Sequence, residues 1–410
     1  MKVWVKLLIG TALGVLLGFL LPQNIPVAGR IIETAHTIAL NIGRYTAAPL
    51  LFFALVIGIY ELRTDGKFWP LVGRTFLILI VLSVCVISLG IAVTFIFPPE
   101  RVPIIMEEQA NAVGIDAEHF FLNLFPPNML SVLGGDGMFI FPLMICAFFF
   151  AIGLTFDNHY SKLLISITDS LSRMFFHTSV FFSEILGVVV IAISAYWAIQ
   201  YRAVIDQGPF KSIIFLLLVF SLILGLLILP ALLYLLRKKQ NPWVFLYGTL
   251  APAFASFFSG DINFCLPVLM HTAKANLGIK RRSASVTVTL FTTFGRSGSA
   301  MVASIALIVI VKSYSSLGIS VVDIVSIVVN ALALTFLLGR HGSNAAFVCL
   351  AALCSTYGRG FENGYLILKP IAFFLTALGT FLDVLIAALG SFIVAKLSGF
   401  KEDRALSSFV

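Results

Sequence analysis

Ala253 to Val268 read AFASFFSGDINFCLPV, an apolar run broken at its centre by Ser259, Gly260, Asp261 and Asn263. A helix needs about 20 apolar residues to cross a bilayer, and irregular polar backbone at membrane depth is tolerated only where protein or water surrounds it. The interruption therefore divides the run into two arms. Arg237, Lys238 and Lys239 precede it and Lys280, Arg281 and Arg282 follow it. Basic clusters mark the cytoplasmic side, so a segment that runs from one cluster to the next enters the membrane and comes back. The reading is a re-entrant helical hairpin over 250–277 with its apex at Ser259 to Phe264.

The rest of the chain suits a membrane setting. Of 410 residues, 60% are hydrophobic and 11% charged, against about 25% charged in soluble domains. A water-facing domain, a disordered chain and a nucleic-acid binder are excluded as classes. The formal charge of +8, from 27 Lys and Arg against 19 Asp and Glu, follows from basic cytoplasmic loops. The five cysteines, Cys85, Cys146, Cys265, Cys349 and Cys354, lie in apolar surroundings without metal-ligand spacing, so no cofactor or metal chemistry is expected. Six apolar runs precede the hairpin: 1–23, 31–62, 71–98, 120–156, 162–199 and 211–236. The first follows Lys2 and Lys6 but shows no small-residue cleavage pattern, and is read as a span. Alternation puts Lys2, Lys6, Arg63, Lys67, Arg74 and the Arg237 cluster on one side and the acidic loop with Glu100, Glu107, Glu108 and Asp116 opposite. The expected protein is multi-pass in a cell membrane, of bacterial inner-membrane type, with a cytoplasmic amino terminus.

Beyond the hairpin, the helix over 284–312 is broken by Gly295, Arg296, Ser297, Gly298 and Ser299. The next run, 321–356, is interrupted by GRHGSN, Gly339 to Asn344, and parity requires it to be a second hairpin entering from outside. A last helix over 365–396 carries Asp383 deep in its apolar length. The expected fold is all-α, with eight transmembrane helices plus two re-entrant hairpins. Two oppositely oriented hairpins, each followed by a helix, form an inverted repeat of the kind that places a transport site at mid-membrane.

These segments resemble the dicarboxylate/amino acid:cation symporters, which include glutamate transporter homologues. IGRYTAAPLLFFALVIGIYELR (Ile42 to Arg63) is similar to that family's second helix, FFLNLFPPNMLSVL with FPLMICAFFFAIGLTF (Phe120 to Phe156) to its fourth-helix region, and AFASFFSGDINFCLPV to its first hairpin. The resemblance implies a homotrimer whose scaffold, within 1–249, holds a moving transport core over 250–400. The third helix, 71–98, moves with that core, and a small solute lies between the hairpin apices and is carried as by an elevator. Where the family's seventh helix reads Asn-Met-Asp-Gly-Thr, this chain has Gly295, Arg296, Ser297, Gly298 and Ser299. Where the family's eighth helix places an Asp, an Arg, a Thr, an Asn and a further Asp for substrate and sodium, the corresponding positions here are Thr376, Gly379, Thr380, Asp383 and Ala387, with the threonine kept at Thr380. Third-helix sodium positions are Leu79, Leu82 and Ser83, and the second hairpin tip, usually Gly-Val-Pro-Gly, is Gly342, Ser343, Asn344 and Ala345. The usual sodium ligands are thus replaced; a proton is the alternative coupling ion.

An ionised side chain facing lipid costs at least about 2.5–3.5 kcal/mol, so such residues turn inward and pair or function. Asp261, Arg296, Arg340, His341 and Asp383 all sit at breaks or apices. Arg296 either pairs internally with Asp261 or Asp383 or stands as a fixed cation in place of a bound sodium ion. Arg340 is either a bidentate partner for a substrate carboxylate or a solvated tip residue. Asp383, three residues after Thr380 on one helix face, either takes a substrate ammonium, a proton or a cation, or pairs with Arg296. Candidate substrate contacts are Asp261, Asn263, Ser299, Arg340, Gly342, Ser343, Thr376, Thr380 and Asp383; Gly295, Arg296 and Ser297 with Asp383 form the cation or charge-replacement set, and His341 and Asn344 a gate. No catalytic pattern is present. The leading expectation is a secondary transporter for an amino acid or dicarboxylate; the alternatives are a passive solute or anion pathway and a non-transporting sensor.

Overall fold

Helix formation dominates the chain because long apolar stretches satisfy their backbone groups internally only as helix. A computed structural model of the protein describes residues 2–21, 26–102, 117–134, 139–156, 161–205, 210–236, 242–314, 319–403 and 409. Glu107, Glu108, Asp116 and the cluster Arg237, Lys238 and Lys239 lie outside these residues. The first helices are α1 (Val3–Leu20), α2 (Pro26–Arg44), α3 (Ala47–Thr64) and α4 (Phe68–Ile96). They are followed by α5 (Ala117–Leu122), α6 (Ile140–Phe156) and α7 (Lys162–Ile205). A π-helical turn joins α8 (Lys211–Ile223) to α9 (Leu229–Leu236). Then come α10 (Pro242–Ser259), α11 (Ile262–Ala275), α12 (Arg281–Phe294), α13 (Ser297–Tyr314), α14 (Val321–Leu337), α15 (Ala345–Tyr357) and α16 (Ala372–Leu397). Among the described residues only two isolated β-bridges occur, one of them between Asp261 and Ser343.

Eight helical stretches among the described residues are long and apolar enough to cross a membrane. Seven of them coincide with spans read from the sequence, and one does not. The expected span over 120–156 is divided into α5, a 3-10 turn at Met129–Val132 and α6, which has 17 residues. Pro126 and Pro127 explain the break, since proline removes a backbone donor and disfavours helix at the residue before it. The stretch Val321–Arg340, expected as a hairpin arm, is itself long enough to count. The span expected over 31–62 is two helices, α2 and α3, meeting at Tyr45 and Thr46. The first arm of the 250–277 hairpin begins at Pro242, where proline suits the first helical turn.

Burial separates a periphery from a centre. In α1 a third of the apolar window is buried, whereas all of the window in Arg281–Tyr314 is, and a helix buried all round belongs to the core. On α1, Gly10, Gly14 and Gly18 line one face against α7; a Cβ on Gly10 would sit 1.9 Å from the Gly187 carbonyl oxygen, and one on Gly18 2.6 Å from Ala198 Cβ. This small-residue stripe permits close helix contact without a hydrophobic driving force in lipid. In the centre, α12 buries Thr287, Thr289 and Thr292, whose hydroxyls donate to carbonyls of their own helix, so polar side chains are buried at little cost.

The helix pairs α10/α11 and α14/α15 each turn back at a tip: Gly260 and Asp261 for the first, Leu338 to Asn344 for the second. Gly260, at φ +60°, takes the left-handed conformation that opens the first turn. The two tips meet: the Ile262 N–H donates to the Gly342 carbonyl at 3.2 Å. The second pair is anchored at its far end, where Ser320 and Asp323 form a capping box at the start of α14 and Arg359, after α15, binds the Asp323 carboxylate. The linker around Arg359 is therefore tied to α14.

Candidate functional site

The break between α12 and α13 creates the site. Gly295 closes α12 and Arg296 stands between the helices, so α13 begins at Ser297 with its first backbone N–H groups unclaimed by an intrahelical partner. Asp383, from the middle of α16, supplies the missing acceptor. Its Oδ1 accepts the Ser299 N–H at 3.0 Å and its Oδ2 the Ser299 hydroxyl at 2.6 Å. A carboxylate at a helix start is also favoured by the helix dipole. The approach needs two glycines: a Cβ on Gly298 would lie 2.5 Å from Leu382 Cβ, and one on Gly379 2.9 Å from Ser299 Cα.

Arg296 is fully buried. Its Nη2 donates to the His341 carbonyl at 2.6 Å and lies 3.3 Å from that of Gly342, both at the tip of the second helix pair. Its Nη1 is 3.6 Å from Asp383 Oδ2, an ion pair. The sequence left two partners open for Arg296, and the structure pairs it with Asp383. Asp261 is held elsewhere. As the N-cap of α11 it accepts the Phe264 N–H at 2.9 Å, and its other oxygen takes the Arg44 guanidinium at the end of α2. Two acids and two arginines are thus sorted into two pairs. One lies wholly within α13, α16 and the second tip; the other joins the first tip to α2.

Arg44 was not among the residues singled out from the sequence. It follows Ile42 and Gly43 in a run read as one apolar span, and the cost of a cation at that depth was the available signal. The contact beside it is equally close: a Cβ on Gly43 would lie 2.0 Å from the Phe264 ring.

The remaining candidates divide by depth. Asn263, Ser297, Ser299, Gly342, Thr376 and Thr380 are buried around the two pairs. Thr376 and Thr380 donate their hydroxyls to the carbonyls of Ala372 and Thr376, and the Thr376 methyl packs against the first tip, 3.4 Å from where a Cβ on Gly260 would sit. The Ser297 hydroxyl is buried without a hydrogen-bond partner. A Cβ on Gly342 would lie 2.7 Å from the Asn263 amide nitrogen and 3.4 Å from Asp261 Oδ2, so the second tip packs directly on polar side chains of the first. His341 and Ser343 are partly buried, whereas Arg340 and Asn344 are exposed. Arg340 forms no ion pair among the described residues and does not join the buried network. Asn344 adopts φ +59° at the start of α15, which its short side chain tolerates better than most. Glu184 of α7 pairs with Lys6 of α1, and Arg173 with Asp169; these are contacts of the periphery.

Residues 3–397 match the model of the sodium:dicarboxylate symporter family. The chain belongs to this family. It is 24% identical over 213 residues to the C4-dicarboxylate transport protein of Bacillus subtilis, a match covering 49% of this chain and 48% of that protein. It is 27% identical over 202 residues to the human neutral amino acid transporter B(0), covering 48% of this chain and 36% of the relative. With the serine/threonine transporter SstT of Enterococcus faecalis it shares 21% identity over 365 residues, 86% of this chain and 81% of the other. In the first two matches the chain spans about half or less of the relative's length. All three relatives are named as transporters and none as an enzyme.

Proposed function

We propose that the chain is a secondary transporter that moves a small organic solute, an amino acid or dicarboxylate, with Arg296 serving as a built-in cation at the place of a coupling ion. The observation that carries this reading is the environment of Arg296: fully buried, donating to a tip carbonyl and paired with Asp383. A bound monovalent cation in a broken helix has the same needs, namely carbonyl oxygens and a carboxylate. A tethered guanidinium meets them permanently. It cannot be released on one side of the membrane and taken up on the other, so it cannot couple transport to an ion gradient through this site. Transport is then facilitated, exchanging or proton-linked rather than driven by sodium.

In this reading α10 to α16 form the moving core, with α4 attached to it, and α1, α2, α3 and α7 belong to the scaffold of a homotrimer. The helix pairs α10/α11 and α14/α15 are re-entrant hairpins whose tips close over the solute. Support for including α4 comes from its close fit to α13, where a Cβ on Gly90 would lie 2.3 Å from Met301 Cγ. The pair Arg44 and Asp261 crosses from scaffold to core and must open as the core travels. The pair Arg296 and Asp383 travels intact.

The test is uptake of labelled acidic, neutral and aromatic amino acids and C4 dicarboxylates into proteoliposomes, under a sodium gradient, a proton gradient or neither. Saturable uptake indifferent to sodium is the expected result. Sodium-driven accumulation would overturn the role given to Arg296.

A further inference from the structure

A second polar region lies away from the tips. Between the end of α3, α7, the end of α11 and the start of α12 is a cavity of about 410 Å³. Five cationic side chains line it: Arg173 from α7, Lys274 from α11, and Lys280, Arg281 and Arg282 where the chain enters α12. Two carboxylates, Glu61 and Glu402, line it as well. Asp169 binds both Arg173 and Arg281, and Asp65 binds Arg282 at 2.5 Å. Glu61 also lies 3.8 Å from Arg281, so the five cations stand against four acids, which orient the arginines and leave one positive charge in excess.

The chain also brings a helix start to this wall. Lys280 is the N-cap of α12, and no side chain caps that terminus. The N-terminal N–H groups of a helix attract anions through both hydrogen bonding and the dipole. Guanidinium groups on the same wall suit the tetrahedral oxygens of a phosphate, to which they bind in a fork. Arg281 and Arg282 keep 22% and 26% of their side chains accessible, so they are not sealed from a ligand by their acidic partners.

We propose that this cavity is a binding site for a phosphate-bearing anion, set between α3 and α7 on one side and α11 and α12 on the other. The phosphate has two possible sources, the headgroup of an acidic lipid or a soluble phosphate. Juxtamembrane basic clusters attract acidic lipids, and the Lys280 cluster is such a cluster. If α3 and α7 belong to the scaffold and α11 and α12 to the core, as the transport reading has it, an occupied site links the two and slows core movement. The binding itself does not depend on that reading.

The test uses the full chain in nanodiscs of phosphatidylcholine alone or with phosphatidylglycerol, and in detergent titrated with inorganic phosphate. Native mass spectrometry reads retained lipid and the shift in unfolding temperature reads soluble ligand. Saturable binding of either probe is expected, with a loss of at least about tenfold in Lys280→Gln, the factor for one charge-assisted hydrogen bond of roughly 1.5 kcal/mol. Arg63→Gln, an exposed basic residue at the end of α3 outside the cavity, is expected to bind like the parent. Retained phosphatidylglycerol assigns the lipid source, and phosphate binding the soluble one. Absence of saturable binding for both probes, or equal losses in Lys280→Gln and Arg63→Gln, overturns the site. Should Lys280→Gln fail to fold, Lys274→Gln is read in its place. Because binding is measured without transport, its failure is separable from failure of the uptake experiment.

Discussion

Replacing Arg296 by methionine keeps much of the side-chain volume and removes the charge. In the parent, Asp383 has the Ser299 N–H and hydroxyl at 3.0 and 2.6 Å and the guanidinium at 3.6 Å. In Arg296→Met the two hydrogen bonds remain and the countercharge does not, while the His341 carbonyl loses its donor. Removing one member of a buried ion pair costs about 3–5 kcal/mol, chiefly because the other charge stays behind. The double variant Arg296→Met with Asp383→Asn leaves no orphan charge and is expected to recover most of that loss. If Arg296 occupies the place of a monovalent cation, sodium has a site in Arg296→Met and none in the parent. Sodium at about a hundred times its dissociation constant then restores about 2.7 kcal/mol, more than half of a 4 kcal/mol deficit. The assay is equilibrium unfolding in detergent, comparing sodium chloride with choline chloride at constant ionic strength. A parent stabilised by sodium over choline, or an Arg296→Met variant within about 1 kcal/mol of the parent, would refute the reasoning.

Two further outcomes follow from the same geometry. Arg44→Met strands the fully buried Asp261, so stability is expected to fall by about 3–5 kcal/mol and to return largely in Arg44→Met with Asp261→Asn; a double variant no better than the single one, in the same unfolding assay, contradicts the pairing. Gly379→Ala places a methyl 2.9 Å from Ser299 Cα and 3.1 Å from Ala346 Cβ, so it is expected to cost about 1–3 kcal/mol through overpacking and to loosen the grip of α13 on α16; unchanged unfolding would remove the claim that glycine is required there.

The breaks were legible because they depend on local chemistry. Gly295 ends a helix wherever the rest of the chain goes, and the polar tips at Gly260 and Gly342 follow from glycine and short side chains inside apolar runs. The basic clusters after such runs gave the parity from which two turning pairs were read. Pairing was less legible, because Arg296 to Asp383 and Arg44 to Asp261 are separated by long stretches of chain and only packing selects between them. The rule that a charge at membrane depth turns inward applied to Arg44 as well as to Arg296, but Arg44 lies at a helix end inside a run read as continuous. Periodicity does not mark the junction at Tyr45 and Thr46, where α2 gives way to α3. The first turning pair begins at Pro242, ahead of the expected boundary at 250; Gln240 and Asn241 followed by a proline, which suits a first helical turn, were the available signal.

The two charge pairs differ in what a moving core would ask of them. Arg296 and Asp383 are both fully buried within helices of the proposed core, so their attraction is the same before and after a movement and sets no barrier to it. Arg44 and Asp261 belong to opposite sides of the proposed sliding contact, and separating them leaves each without its partner unless water or a neighbouring charge takes over. The separated state is therefore penalised by a desolvated carboxylate, up to the few kcal/mol typical of a broken buried pair. If Arg296 stands in for a loaded ion, as proposed, the latch at Arg44 supplies the conformational preference that ion binding would otherwise provide. In that case the balance between the end states rests on residues such as Arg44 rather than on sodium loading at the site of Arg296.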